Sequence, residues 1–446
     1  MNKEIIYLPI GVPTFHLESA QAEFEKSVTL LKKTDENILV PDEMLLSIEK
    51  LNAFIKDKNP MLAIVQNVTF ANGEYIAQVL RSFNCHVLLW TLREPVIDGE
   101  RLRLNSLTGA FSAANMIKSF ARSFTYVFGS PDENKVKDKI SATIKAVKVR
   151  EALKNLSLLQ VGHTPPGFGF GRALDNEIMT VFGSHLVSIE ARELIDKAKN
   201  YSDEECLPYL KRAEKSINNL AFIPKKNIVD FARLFKAYDE CIRENNIGAL
   251  SSRCWPDFFT SFGTPVCAVL SLLNDLGVAA ACEADTYGAL SMFTAMKLTG
   301  KAVFFGDPVS LDEKENTITF WHCGMAPCSL AREDTGAVCG VHCNRKIGPT
   351  LDFGCKAEDK VTIFRIGKDA CGKFRVFLSG GQALDKPKQF NGTSIVVKTG
   401  KPSVEIVEKA VKSGWEPHFV VAMGDIKEEI RILADILSIE VEDFDA

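Results

Sequence analysis

The chain has 446 residues, 46% hydrophobic and 25% charged, with a formal net charge of −4. At about 150 residues per domain that is room for two to four domains with sizeable cores. Without a basic excess there is no electrostatic footprint for nucleic acid, and no apolar run approaches the roughly 20 residues that span a bilayer, so no membrane partner is expected.

The N-terminal MNKEIIYLPIG carries an acid inside a short apolar stretch and has no cleavage pattern. It reads as a first strand, not a signal peptide. The 12 cysteines, several in buried-looking runs (Cys85, Cys267, Cys282), are then expected as reduced thiols of a cytoplasmic protein.

Residues 1–155 alternate strand and helix signals. The strands are expected at Ile5–Ile10, Met61–Val65, His86–Leu92 and Thr125–Phe128. The helices are expected at Glu18–Lys33, Pro41–Lys56, Glu74–Phe83, Ser112–Arg122 and Glu133–Leu156. Near-continuous apolar strands with helices of period 3.6 between them indicate a parallel sheet covered on both faces, a doubly wound α/β domain.

A second α/β domain, 156–300, opens with strand Leu158–Val161 and the loop GHTPPGFGFGR. Helix Asp175–Phe182, strand His185–Ser188, helix Ala191–Asn200, helix Ile228–Glu244, strand Ile247–Ser251 and helix Pro265–Leu276 follow. From Val278 the chain reads strand, helix, strand. Val278–Ala281 delivers Glu283 and Asp285, a helix runs from Tyr287 to Thr299, and Ala302–Phe305 delivers Asp307. After Gly300 period-2 alternation dominates, at Thr317–Trp321, Lys360–Arg365, Lys373–Leu378 and Ser394–Val397. Residues 301–446 therefore read as an antiparallel β-barrel-like domain, with helices at Val404–Ser413 and Ile426–Leu437.

Open α/β sheets bind ligands outside the carboxyl ends of their strands. Glu283 and Asp307 are placed at two such ends, which suits a divalent metal, acid–base chemistry or both. His322 closes the run ITFW, and the Asp312–Asn316 turn would fold that strand back beside Asp307. His418 follows Pro417 and precedes the strand FVVAMGD. Mixed oxygen and nitrogen ligands suit Mn²⁺, or a similar divalent ion such as Mg²⁺ or Co²⁺, better than a thiolate-preferring metal. Arg253 and Trp255, in SSRCWPDF, pair a multiple donor with an apolar face, as a polyhydroxylated ligand requires.

Two further motifs carry less. GFGFG at 167–171 is spaced G-x-G-x-G, not G-x-G-x-x-G, and follows Pro165-Pro166. It reads as a turn lining a crevice, and a nicotinamide-dependent oxidoreductase is disfavoured. Cys323, Cys328, Cys339, His342 and Cys343 form a soft-ligand cluster, but C-x4-C and C-x3-C are not paired zinc knuckles, and packed thiols are the simpler reading.

RCWPDF at 253–258, CEADTYGALSM at 282–292, FFGD at 304–307, the WHCG–P stretch at 321–327 and PHFVVAMGD at 417–425 resemble the L-fucose isomerase and L-arabinose isomerase superfamily, with the closer likeness to the fucose isomerase branch. The resemblance implies three domains, a homo-oligomer (trimer or hexamer), and metal ligands at Glu283, Asp307 and His418. His322 falls where the arabinose branch has a further histidine. The implied activity is a metal-dependent aldose–ketose isomerisation through a cis-enediolate, on a deoxyhexose or pentose such as L-fucose or D-arabinose. L-arabinose, and a non-catalytic sugar-binding protein on the same scaffold, are the alternatives. The residue chemistry agrees. Moving a proton between C1 and C2 needs a polarised carbonyl, a carboxylate to carry the carbon proton and a group to shuttle hydroxyl protons. Glu283 and Asp307 can share those roles.

Overall fold

In the computed structural model, which describes residues 3–445, the first apolar runs form a four-stranded parallel sheet. Its strands are β1 (Glu4–Ile10), β2 (Pro60–Asn67), β3 (His86–Thr91) and β4 (Thr125–Phe128), paired in the order 1-2-3-4. The accompanying helices are α1 (Leu17–Thr34), α2 (Ile48–Ile55), α3 (Gly73–Ser82), α4 (Ser106–Ser119) and α5 (Asn134–Lys154). Successive strand side chains point to opposite faces, and both faces are buried here. Ile6, Leu8 and Val65 meet α2, α3 and α4, whereas Tyr7, Leu62 and Trp90 meet α1 and α5. Leu39 and Leu45 bridge β1 in parallel on the edge away from β2, opposite Ile6 and Ile10, so the chain steps to one side of β1 before crossing to β2 on the other, and with helices on both faces the arrangement is doubly wound as expected. Helix α2 is shorter than anticipated because Ser47 caps it, accepting from the Lys50 N–H (3.2 Å).

The next elements are β5 (Ser157–Val161), α6 (Asp175–Glu177), β6 (His185–Ile189), α7 (Ala191–Lys199), α8 (Asp203–Ala213), α9 (Lys225–Glu244), β7 (Ile247–Ser252), α10 (Cys267–Asp275), β8 (Ala279–Cys282) and α11 (Thr286–Thr299). Their parallel sheet has the order β6-β5-β7-β8. The order reverses between β5 and β7, so the loops after these two strands flank a switch point. Helix α8 was not anticipated. It starts at a capping box in which Ser202 and Glu205 satisfy each other's backbone N–H, and it tolerates Pro208.

The remaining strands are β9 (Phe304–Asp312), β10 (Thr317–His322), the two-residue β11 (Cys339–Gly340), β12 (Thr350–Leu351) and β13 (Phe353–Gly354), then β14 (Glu358–Lys368), β15 (Phe374–Leu384), β16 (Thr393–Thr399), β17 (Phe419–Met423) and β18 (Glu440–Asp443). Eight of them form one sheet, ordered β13-β16-β10-β9-β17-β14-β15-β18, in which β15 also pairs with β16. The sheet is mixed where an antiparallel one was expected, because β13 joins β16 and β18 joins β15 in parallel. Helix α11 packs against β7 and β8 on one side and β14 and β17 on the other. That sandwich is why its residues are buried almost all round. Helices α12 (Ser403–Lys412) and α13 (Lys427–Leu437) complete the chain.

The chain divides into two compact units, Met1–Glu151 with Glu428–Ser438, and Ala152–Lys427 with Ile439–Ala446. The segments expected as second and third domains thus share one unit, except that α13 packs in the first through Ile436 and a Lys145–Glu429 ion pair (3.3 Å). Among the described residues no helix is long and apolar enough to cross a membrane.

Candidate active site

The site lies in the second unit, and its organising contact follows from how β8 ends. Glu283 and Ala284 both adopt left-handed backbone conformations (φ +59° and +55°), which L-residues rarely take and which store strain where they occur. The kink separates two acids two residues apart. Asp285 becomes the N-cap of α11, accepting from the Gly288 N–H (2.8 Å), while Glu283 is left at the strand end. Gly288 is required there, because a Cβ would lie 2.6 Å from the Phe305 ring and 2.9 Å from Asp285 Cγ.

His418, immediately before β17, links the two acids. Its Nδ1 lies 2.9 Å from Asp285 Oδ2, and its Nε2 lies 3.0 Å from Glu283 Oε2 and 3.5 Å from Asp307 Oδ1. Arg365, on β14, closes the network. Its Nη1 donates to Asp285 Oδ2 (2.8 Å) and to the His418 carbonyl (2.8 Å), and its Nε lies 3.5 Å from Glu416. Arg365, Asp285 and His418 each have side chains only 1% exposed. Burial works against ionised Asp285, yet Arg365 and His418 hold its carboxyl well below the usual range. Burial likewise opposes a charged His418, but Asp285 and Glu283 raise it to about 10. For Glu283 burial is outweighed by His418, His322 and the Trp255 N–H, so it stays below the ordinary value. Asp307 lacks such donors, and burial pushes it up to about 6.

All four residues anticipated as ligands are brought together. Glu283, His322 and His418 each offer a ligand atom within 4.8 Å of the others, and Asp307 approaches the same His418 nitrogen. Asp307 arrives differently from expectation. It does not end a parallel strand; β9 belongs to the mixed sheet and continues through Pro308 to Asp312, with a register shift opposite Thr319/Phe320 that accommodates the missing proline N–H. Among the described residues the buried Nε2 of His322 has no hydrogen-bond partner, and that of His418 meets only carboxylate oxygens, of Glu283 at 3.0 Å and Asp307 at 3.5 Å. A buried imidazole nitrogen facing two carboxylates is a donor set that fits a divalent cation. For His418 the tautomer also fits, since Nδ1–H donating to Asp285 leaves the Nε2 lone pair free. His322 differs. Its Nδ1 accepts from the Cys323 N–H (2.9 Å), so the neutral ring carries its proton on Nε2.

Trp255 is brought in as well, donating from Nε1 to Glu283 Oε1 (3.0 Å). Arg253 Nε sits 2.8 Å from Asp257 Oδ2. Sequence reasoning missed Arg365, and it read GFGFG as a turn lining a crevice without tying the loop Gly162–Arg172 to these residues. In that loop Phe170 lies edge-on to His418 (5.5 Å) and Phe168 edge-on to Trp255 (5.8 Å). A Cβ on Gly171 would come within 2.8 Å of Asp285 Cα. The glycines of GFGFG therefore serve close packing and aromatic placement. The soft-ligand cluster does not assemble. Among the described residues the cation-binding constellation is Glu283, His322 and His418, and all twelve cysteines are free.

No family model matches the chain. A sulfoquinovose isomerase of Clostridium sp. (strain MSTE9) is 58% identical over 440 residues, covering 98% of both chains. Sulfoquinovose isomerases of Priestia aryabhattai and Alkalicoccus urumqiensis are 36% and 37% identical, each alignment covering 99% of both chains.

Proposed function

The chain belongs to the family of the sulfoquinovose isomerases and is an aldose–ketose isomerase, and from that premise we propose that it converts sulfoquinovose, a glucose bearing a sulfonate at C6, into the corresponding 2-ketose. The substrate is then not the L-fucose-like sugar that the sequence motifs implied. The likeness to the L-fucose isomerase superfamily is supported by the convergence of its motif residues on one centre and by the β15–β16 pairing that returns the mixed sheet on itself.

The observation that carries the reading is the meeting of Glu283, Asp307 and His322 around the His418 Nε2. Glu283, Asp307 and His418 would hold a divalent cation such as Mn²⁺, Mg²⁺ or Co²⁺, whose Lewis acidity polarises the sugar carbonyl. Asp307 is the better carrier of the carbon proton. Among the described residues its carboxylate accepts no side-chain hydrogen bond and only approaches His418 at 3.5 Å, so it is free to take the proton from C2 and return it to C1. Glu283, fixed by Trp255, stands at the hydroxyl oxygens and passes the O2 proton to O1. The His322 Nε2–H is oriented to donate to an oxygen of the bound sugar. Phe170 and Phe305 flank His418 and exclude water from the ring.

The test is incubation with sulfoquinovose, L-fucose, D-arabinose and L-arabinose, with Mn²⁺ or with chelator, following ketose formation and deuterium entry at carbon by NMR. Mn²⁺-dependent conversion of sulfoquinovose is expected. Absence of any ketose from sulfoquinovose, or full turnover by the chelator-treated protein, overturns the reading.

A further inference from the structure

The charges around His418 are mutually accounted for, but the cation laid against Trp255 is not. Arg345 belongs to the turn His342–Ile347, which is braced from within. The His342 N–H donates to the Ile347 carbonyl (2.9 Å), the Lys346 N–H donates to the His342 carbonyl (2.8 Å), and His342 Nδ1 accepts from the N–H groups of Asn344 and Arg345 (3.3 and 3.4 Å). The His342 ring is buried and stands edge-on to Phe259 at 5.0 Å. The turn thus delivers the Arg345 guanidinium onto two aromatic rings, 4.8 Å above Phe259 and 5.5 Å above Trp255. Trp255 is the residue whose Nε1–H meets Glu283.

Three cations of the site have an acid. Arg253 has Asp257, Arg365 has Asp285, and Lys368 has Glu177. Among the described residues the Arg345 guanidinium meets no carboxylate, although it is exposed and ordered by the rings beneath it. A guanidinium laid on aromatic faces keeps its N–H edge available, and that edge matches an oxyanion bidentately. Its distance also fits. The contacts through Trp255 place it within about 11 Å of the Glu283 carboxylate, and an open six-carbon chain with bonds of about 1.5 Å separates C1 from a C6 substituent by about 7 Å.

We infer that Arg345 is the specificity-determining residue that binds the sulfonate at C6 while Glu283, Asp307 and His418 address C1 and C2. The inference rests on the sulfoquinovose reading above. An aldose with a plain hydroxyl at C6 would leave the cation without its anion, so Arg345 selects by what the wrong sugar fails to supply.

The experiment compares Arg345→Gln and Arg345→Lys with the parent in steady-state kinetics on sulfoquinovose, with D-glucose and inorganic sulfate as competitive inhibitors. Losing a charge-assisted hydrogen-bond pair should raise KM for sulfoquinovose about 10- to 100-fold in Arg345→Gln while kcat changes only a few-fold. Arg345→Lys, which keeps the charge without the fork, should fall between. Inhibition by sulfate should weaken in Arg345→Gln and that by D-glucose should not. An unchanged KM in a variant of an enzyme that does convert sulfoquinovose overturns the inference and leaves the function standing. Equal weakening toward sulfate and D-glucose also overturns it, because it marks a structural role. A parent enzyme that does not convert sulfoquinovose overturns the substrate assignment itself.

Discussion

Replacing Asp285 by Asn tests whether the buried network or the strand end holds His418. Asp285 accepts from Arg365 through both oxygens (2.8 and 3.3 Å), from His418 Nδ1 (2.9 Å) and from the Gly288 N–H (2.8 Å). Asparagine keeps an oxygen for the cap, so little of the roughly 1 kcal/mol of an N-cap is lost. It removes the charge, however, and leaves Arg365 buried. Breaking a buried pair by removing one partner costs about 3–5 kcal/mol. Glu416 remains 3.5 Å from Arg365 Nε, which places the expected loss near the lower end, about 3 kcal/mol. At about 2–4 °C per kcal/mol for a unit of this size, Tm should fall by about 6–12 °C. The His418 ring also loses the acceptor that sets its tautomer, and loss of such a partner weakens metal binding by about 10- to 100-fold. Calorimetric melting and Mn²⁺ titration read the two effects separately. The double variant Asp285→Asn/Arg365→Met should regain much of the stability, since no uncompensated charge remains, yet bind Mn²⁺ as weakly as the single variant. A single variant that melts within 1 °C or so of the parent and titrates identically refutes the reasoning.

Three further outcomes are expected. Glu283→Gln and Asp307→Asn should each lower kcat by about 10² or more in a protein that still folds, since each removes a proton carrier at the reacting carbons; near-parental turnover in both would remove β8 and β9 from the active site. In the metal-free protein His418 is raised from 6.5 to about 10, so its ion pairs stabilise the fold fully below pH 6.5 and the benefit is lost as pH rises through 10. Mn²⁺ uptake near neutral pH should accordingly release about one proton, visible as buffer-dependent calorimetric enthalpy, and no release would contradict the assigned pairing. The chain should be a homo-oligomer by light scattering, because Leu107, Phe111 and Tyr126 form an exposed apolar patch on α4 and the edge strand β4. Phe111→Lys should shift the assembly toward smaller species, and a fully active monomer would exclude the arrangement.

The sequence made the site legible wherever one residue's chemistry was tied to its place in an element. Glu283 after an apolar run and His418 between Pro417 and a buried strand could both be placed without coordinates. Arg365 could not, because it sits in the run Val361–Ile366 and looks like one charged residue in an alternating strand. Its signal was present in principle, since an arginine flanked by Phe364 and Ile366 in a central strand must find an acid, but nothing local names which one. Asp307 was expected beside Glu283 and His418, where the structure brings it, but for a partly wrong reason. The apolar run before it resembles the end of a parallel strand, and only the pairing with β10 and β17 shows that β9 has left that sheet.

The division of labour between Glu283 and Asp285 is the part no pattern could give. Two residues apart in sequence they are equivalent acids, and either could serve as ligand or cap. Two left-handed residues between strand and helix send one toward Trp255 and the other beneath His418. From there environment decides. Asp285, sealed between Arg365 and His418, is too strongly ionised and too enclosed to exchange protons with a sugar. Glu283, 17% exposed and held by the Trp255 indole N–H through one oxygen, keeps the other facing His418. Environment, not residue type, thus separates a sealed structural acid from a partly exposed one.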